Sequence, residues 1–292
     1  MRVKLYTHNR NERNHREISE DTDLDMVAKQ GLSNKPQVDV DNTNVSVAKA
    51  PFLSTKKRML ASDSELDSFY YALHNYYLCL PYDRIKVALD EINYRDIARL
   101  SLLFAKLKGT TVLNGDRLTK QNRMIYTANH IGSFDQFYIP KLLGCTPLHY
   151  LVKKKTTTWL VRWNLIYKPT GVVVVNQEEV ASWQQAKAKL IQYLLHGGNV
   201  FIFAEGSRRG EENIGEFSNG VAQIAQESGC AVSTLAMKNT YRLFSRNPII
   251  CAGETFSVGR RDDIREATKQ IRAGVVNAYN EILDYESELK KR

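Results

Sequence analysis

Beyond Gly109 the hydrophobic pattern switches repeatedly between two periods, and this limits the possible folds more than any other feature of the chain. Short apolar runs fit strands: RMIYTAN (123–129), HYLVK (149–153), GVVVVN (171–176), NVFIFAE (199–205), AVSTLAM (231–237) and ETFSV (254–258). Between them lie segments with helical spacing, such as EVASWQQAKAKLIQYLLHGG, where Trp183, Leu190, Tyr193 and Leu194 share one side before the Gly197-Gly198 stop. The alternation predicts an α/β domain with a central, mostly parallel mixed sheet flanked by helices. GVVVVN and VFIFA are continuous rather than alternating, so both are expected as central strands covered on both faces.

Ahead of this domain, residues 1–60 are polar and weakly periodic, as expected of a largely flexible tail. From Ser64 the pattern turns helical: DSELDSFYYALHNYYLCL (63–80) opens with acids suited to a helix N-terminus and spaces Leu66, Phe69, Tyr70, Leu73, Tyr76 and Tyr77 helically. With YDRIKVALDEINYRDIARLSLLFAKLKG it predicts an amphipathic helical hairpin over 61–109, stopped by Gly109. Such a hairpin either packs on the main domain or presents aromatic rings to a membrane interface. Residues 110–292 then form the α/β domain.

A net charge of +9 predicts anionic partners: nucleic acid, acidic membrane or phosphorylated small molecules. Cys79, Cys145, Cys230 and Cys251 have no CxxC or metal-like spacing, so free thiols in a reducing compartment are expected, with no metal site. The first thirty residues lack the apolar core of a secretory signal, and no apolar run approaches the roughly 18–20 residues that span a bilayer. The expected location is cytoplasmic, peripheral on the cytoplasmic face of a membrane.

TANHIGSFDQF (127–137) ends a predicted strand on Asn129-His130 and places Asp135 five positions after the histidine. Open α/β sheets hold ligands at the strands' carboxyl edge. Ser133-x-x-Gln136 reads as a capping box, putting Asp135 in the first turn of a helix. From there its carboxylate can bond one ring nitrogen of His130 while the other takes a proton from a hydroxyl. The same spacing also suits a loop histidine beside a favourable helix-dipole charge.

FIFAEGSRRGEE follows a second continuous strand with Glu205, Gly206, Ser207, Arg208 and Arg209. Gly206 allows close backbone approach, and turn amides with an arginine fork make a phosphate site. The alternative is a solvated turn whose Glu and Arg pair with each other.

These residues resemble the glycerolipid acyltransferases, the group that includes lysophosphatidate and glycerol-3-phosphate acyltransferases. Asn129-His130 to Asp135 is similar to the family's Asn-His-x-x-x-x-Asp block, with Ser133 also matching. Phe203-Ala204-Glu205-Gly206-Ser207-Arg208-Arg209 is similar to its Phe-Pro-Glu-Gly-Thr-Arg-Ser block. GVVVVNQ (171–177) lies in place of Gly-x-x-Phe-Ile-Asp-Arg, and Phe217 with Gly220 in place of Phe-Lys-x-Gly. The resemblance implies a glycerol-3-phosphate acyltransferase-like fold. It also implies acyl transfer from acyl-CoA or acyl carrier protein to a hydroxyl of a lysophosphatidate-like acceptor, without cofactor. His130 would be the general base and Asp135 its orienting partner. Glu205, Gly206, Ser207, Arg208 and Arg209, with Asn176 and Gln177, would form the acceptor side.

The chain departs from that pattern where acceptor charge matters. Gln177 stands in place of an arginine, Asn176 of an acid, Ala204 of a proline, Ser218 of a lysine, and Val232-Ser233 of Val-Pro. Two lost cations remove charge-assisted bonds of about 1.5–3 kcal/mol each in a dry site. Arg209, or a lysine from the next segment, could compensate.

That segment is basic and aromatic. From Gln136 through Gln177 there is no Asp or Glu, against six Lys or Arg and two tryptophans. Lys153, Lys154, Lys155, Trp159, Arg162 and Trp163 are expected to dock on an anionic bilayer. A solvated basic face over buried tryptophans fits the same pattern. No RNP or helix-turn-helix signature accompanies it, so nucleic acid is not an expected partner. The expected partners are an acyl donor, a lysolipid acceptor and an anionic membrane surface.

Overall fold

The computed structural model describes residues 60–79, 98–118, 121–132, 134–144, 148–154, 172–209, 213–241 and 247–291. Seven strands form one sheet: β1 Thr111–Leu113, β2 Ile125–Ala128, β3 Leu148–Lys153, β4 Val173–Val175, β5 Asn199–Ile202, β6 Val232–Lys238 and β7 Ile249–Phe256. Their spatial order is β1-β7-β6-β2-β5-β3-β4. β6, β2, β5, β3 and β4 are mutually parallel, while β7 runs antiparallel to β6 and carries β1 parallel to itself. The expected mostly parallel mixed sheet is therefore present.

Among the described residues, six α-helices surround it: α1 Asp63–Cys79, α2 over 98–107, α3 Asp135–Leu143, α4 Val180–Leu195, α5 Gly220–Ser228 and α6 Ile264–Lys291. The strand period of two distributes the core between both sheet faces. Ile125, Val200 and Ile202 pack with α1, α4, α5 and α6. Tyr126 and Phe201, one residue out of phase, pack with α2 and α3. Wholly buried side chains such as Ile125 and Phe201 contribute about 1.5–3 kcal/mol each through loss of apolar surface to water.

α1 buries Leu66, Tyr70, Leu73 and Tyr77 against the domain. Its docking is fixed by a buried polar cluster: Tyr77 donates to Glu227 Oε2 at 2.6 Å, and Lys187 Nζ pairs with Glu227 Oε1 at 2.7 Å. Arg260 and Arg261 pair with Asp67 and Asp63 at the other end of the helix. This is the packed arrangement of the first predicted helix. α2 ends as expected at Gly109, whose φ of +64° is readily adopted only by glycine. The hairpin's middle, 80–97, and all of the predicted tail except Leu60 lie outside the described residues.

Three strand expectations need correction. GVVVVN forms β4, an edge strand with Val174 44% exposed, not a central one covered on both faces. β7 begins at Ile249, five residues before the predicted strand. β1, only three residues long, was not expected at all. VFIFA does form the interior strand β5, buried throughout Asn199–Ile202.

Candidate active site

β2, β5 and β6 are parallel neighbours, so their carboxyl ends open on one edge. β2 ends there at Ala128, and the next two residues are Asn129 and His130. Buried Asn129 is clamped to the end of β6: its Nδ2 donates to the Met237 carbonyl at 2.9 Å and its Oδ1 accepts from Met237 N at 2.8 Å. An amide suits this position because it carries a donor and an acceptor side by side, matching the C=O and N–H of one residue.

His130 and Asp135 are together. His130 Nδ1 lies 2.8 Å from Asp135 Oδ2, and Asp135 is the first residue of α3, completely buried. The same oxygen accepts the backbone N–H groups of Ile131 and Gly132 at 2.8 and 3.0 Å. That oxygen faces backbone N–H donors and acts as an acceptor towards the ring as well. It therefore assigns the proton to Nδ1 and leaves Nε2 as the ring's acceptor. The imidazole stacks on Phe203, with centroids 4.0 Å apart and planes 16° apart. Ser133, the expected helix cap, lies outside the described residues. Tyr138, buried on the next turn of α3, has its pKa pushed up to about 12, first by burial and then by the Asp135 charge.

The turn after β5 meets this loop directly. Glu205 accepts His130 N–H through Oε1 at 2.9 Å and Gly215 N–H through Oε2 at 3.1 Å. Arg209 N–H donates to the His130 carbonyl at 3.0 Å. Gly206 has φ +65°, and a Cβ there would lie 3.5 Å from Gln177 Nε2 and 3.9 Å from Lys153 Nζ. Lys153, at the end of β3, thus converges with Gln177 on Gly206.

A cavity of about 680 Å³ opens beside His130. Phe137, Pro140, Tyr150, Val175, Trp183 and Ile202 give it an apolar wall, while Lys153, Gln177, Ser207 and Arg208 contribute polar and cationic groups. α2 closes part of it with Ala98 and Ser101. Among the described residues, no group of three His, Cys, Asp or Glu side chains could hold a metal ion.

The family model described as Acyltransferase matches residues 109–238. Residues 109–238 are thus similar to an acyltransferase domain. Curated relatives include a 1-acyl-sn-glycerol-3-phosphate acyltransferase of Borreliella burgdorferi, 25% identical over 56% of this chain and 65% of the relative. A probable 1-acyl-sn-glycerol-3-phosphate acyltransferase of Mycoplasma pneumoniae is 28% identical over 46% of this chain and 52% of its own length. A lyso-ornithine lipid O-acyltransferase of Pseudomonas aeruginosa is 29% identical over 39% and 42%. The chain thus spans between under half and about two thirds of these relatives. The crystal structure of the 1-acyl-sn-glycerophosphate acyltransferase PlsC from Thermotoga maritima shares the fold, with TM-score 0.53 and 18% identity, covering 78% of this chain and 98% of that one.

Within the matched region the expected acceptor residues separate into two groups. Gly206, Ser207, Arg208 and Gln177 line the cavity. Glu205 instead spends both oxygens on backbone amides, and Asn176 turns its side chain to Glu179 while its N–H donates to Ser182. The Arg209 side chain packs against Gly215, where a Cβ would meet its Nε at 2.6 Å. Of the expected membrane-docking residues, Lys153 lines the cavity and Lys154 is exposed at the strand end; Lys155, Trp159, Arg162 and Trp163 lie outside the described residues. Thr240, which donates to Asp135 Oδ1 at 2.7 Å, carried no sequence signal.

Proposed function

We propose that this chain transfers an acyl group from an acyl-CoA or acyl carrier protein thioester to a hydroxyl of a lysophosphatidate-like acceptor, at a membrane surface. The observation that carries the reading is the His130–Asp135 pair bordering a cavity whose walls are apolar beside His130 and cationic around Gly206. An acyl chain and an anionic headgroup need those two environments in one site.

In this reading His130 Nε2 takes the acceptor hydroxyl's proton as the oxygen attacks the thioester carbonyl carbon. The charge of Asp135 stabilises the resulting imidazolium. An ester C–O bond forms, the C–S bond breaks, and the proton passes to the departing thiolate. The chemistry requires neither a metal nor a cofactor beyond the donor. Lys153 and Arg208 supply the cations for the headgroup, offsetting the arginine replaced by Gln177. The names of the Borreliella and Mycoplasma relatives support the acceptor class.

A lipid acceptor requires contact with a bilayer. No helix of the described residues is long and apolar enough to cross a membrane. α2, which walls the cavity with Ala98 and Ser101, exposes Leu100, Leu103 and Leu107, a stripe suited to lying in the interface on the cytoplasmic face.

Thiol release from acyl-CoA or acyl carrier protein, assayed across a lysolipid panel, tests the reaction. Wild-type chain should release thiol with an acceptor present, and His130→Ala should abolish it. No release with any acceptor would leave a noncatalytic lipid-binding protein. A second acceptor reading, an aminolipid, is favoured by Gln177 and by the Pseudomonas relative's name; preference for such an acceptor in the panel would select it.

A further inference from the structure

The carboxyl end of β6 holds a residue that no motif announces. β6 ends at Lys238, and Asn239 then adopts a left-handed backbone with φ +60°. The turn places the next residue, Thr240, completely buried against Asp135, with Oγ1 donating to Oδ1 at 2.7 Å. Three other donors, His130 Nδ1 and the amides of Ile131 and Gly132, all fall on the opposite oxygen, Oδ2. Among the described residues, Thr240 is the donor that occupies Oδ1.

This asymmetry has a chemical consequence. A carboxylate carries about four acceptor sites, two on each oxygen. Without the Thr240 hydroxyl, one oxygen of a buried carboxylate loses its partner, and the group can swing away from the ring. That swing withdraws direction from His130 Nδ1. The turn is also pressed on the histidine loop: a Cβ on Gly132 would come within 2.5 Å of Tyr241 Cα. Asn129 is tied to Met237, two residues before Asn239. The β6 end and the histidine loop therefore form one rigid unit.

Resting on the acyl-transfer reading above, we propose that Thr240 is a positioning residue for the reaction, acting through Asp135 to keep that carboxylate aimed at His130. It does not border the cavity and binds neither substrate.

The test is a double-mutant cycle on the full chain, with Thr240→Val, Thr240→Ser, Asp135→Asn and the Val/Asn double variant, each checked by thermal unfolding. Thr240→Ala serves as a second removal of the hydroxyl should the valine variant fold poorly. Loss of the hydroxyl is expected to lower kcat about tenfold to a hundredfold, the range set by one unpaired buried acceptor, with both KM values nearly unchanged. Thr240→Ser should recover most of the activity. In the Asp135→Asn background the same substitution should cost less than about twofold, because residues acting as one unit are non-additive.

An equal loss in both backgrounds, or full activity in both hydroxyl-free variants, would overturn the assignment. Nuclear magnetic resonance of the His130 Nδ1 proton separates this outcome from failure of the acyl-transfer reading. Its resonance should move when the hydroxyl is removed even if no acceptor is turned over, and an unmoved resonance overturns the role of Thr240.

Discussion

Glu205 accepts the backbone N–H of His130 at 2.9 Å, and its second oxygen accepts that of Gly215 at 3.1 Å. The acid of the Glu-Gly-Ser-Arg segment is thus a brace for the histidine loop. Glu205→Gln presents an NH2 group to one of two N–H donors, leaving that donor buried and unpaired. Denaturant unfolding should show a loss of about 1–3 kcal/mol. Steady-state kinetics should show a lower kcat with acceptor KM unchanged. A raised KM at full kcat would make Glu205 an acceptor ligand instead.

Lys153 and Gln177 meet over Gly206 in the cavity that His130 also lines. Removing the ammonium in Lys153→Met should raise KM for a phosphate-bearing lysolipid about tenfold or more, as expected from losing one charge-assisted bond. Gln177→Arg should lower that KM. Measured KM values that ignore both substitutions would place the headgroup elsewhere.

His149 on β3 stacks on Tyr193 with centroids 3.9 Å apart. Burial drives its pKa down from 6.5 to about 4, only partly opposed by the Asn199 carbonyl. As pH falls, the unfolded chain protonates this histidine first, near 6.5. Stability is therefore full above that pH and declines towards pH 4, by about 1.4 kcal/mol per unit. Denaturation at pH 6.5 and pH 5 should differ by about 2 kcal/mol from this group, and His149→Phe should flatten the difference.

The His130–Asp135 contact was legible because both residues lie within one strand–turn–helix segment, five residues apart, where local rules of strand ends and helix starts fix their relation. β5 was legible for a similar reason, since a buried central strand needs apolar residues on both faces. β4 has the same composition but lies at the sheet edge, because apolar content shows that a segment fits a sheet and not which neighbour it lacks. β1 is too short to display a period. Thr240 reaches Asp135 from 105 residues away, and such contacts arise only when the sheet order is set. Glu205 was visible as a functional acid, but its role depends on which backbone amides the fold brings to it.

The stack of Phe203 on His130 bears on how rate depends on temperature. A ring held flat on one face and bonded at Nδ1 has given up its rotational freedom during folding, before any acceptor arrives. With His130 as the proposed base, little of its ordering is left for the activated complex, so the wild-type barrier should be mainly enthalpic. Phe203→Leu would free the ring, and an Eyring plot of kcat should register this as a more negative activation entropy.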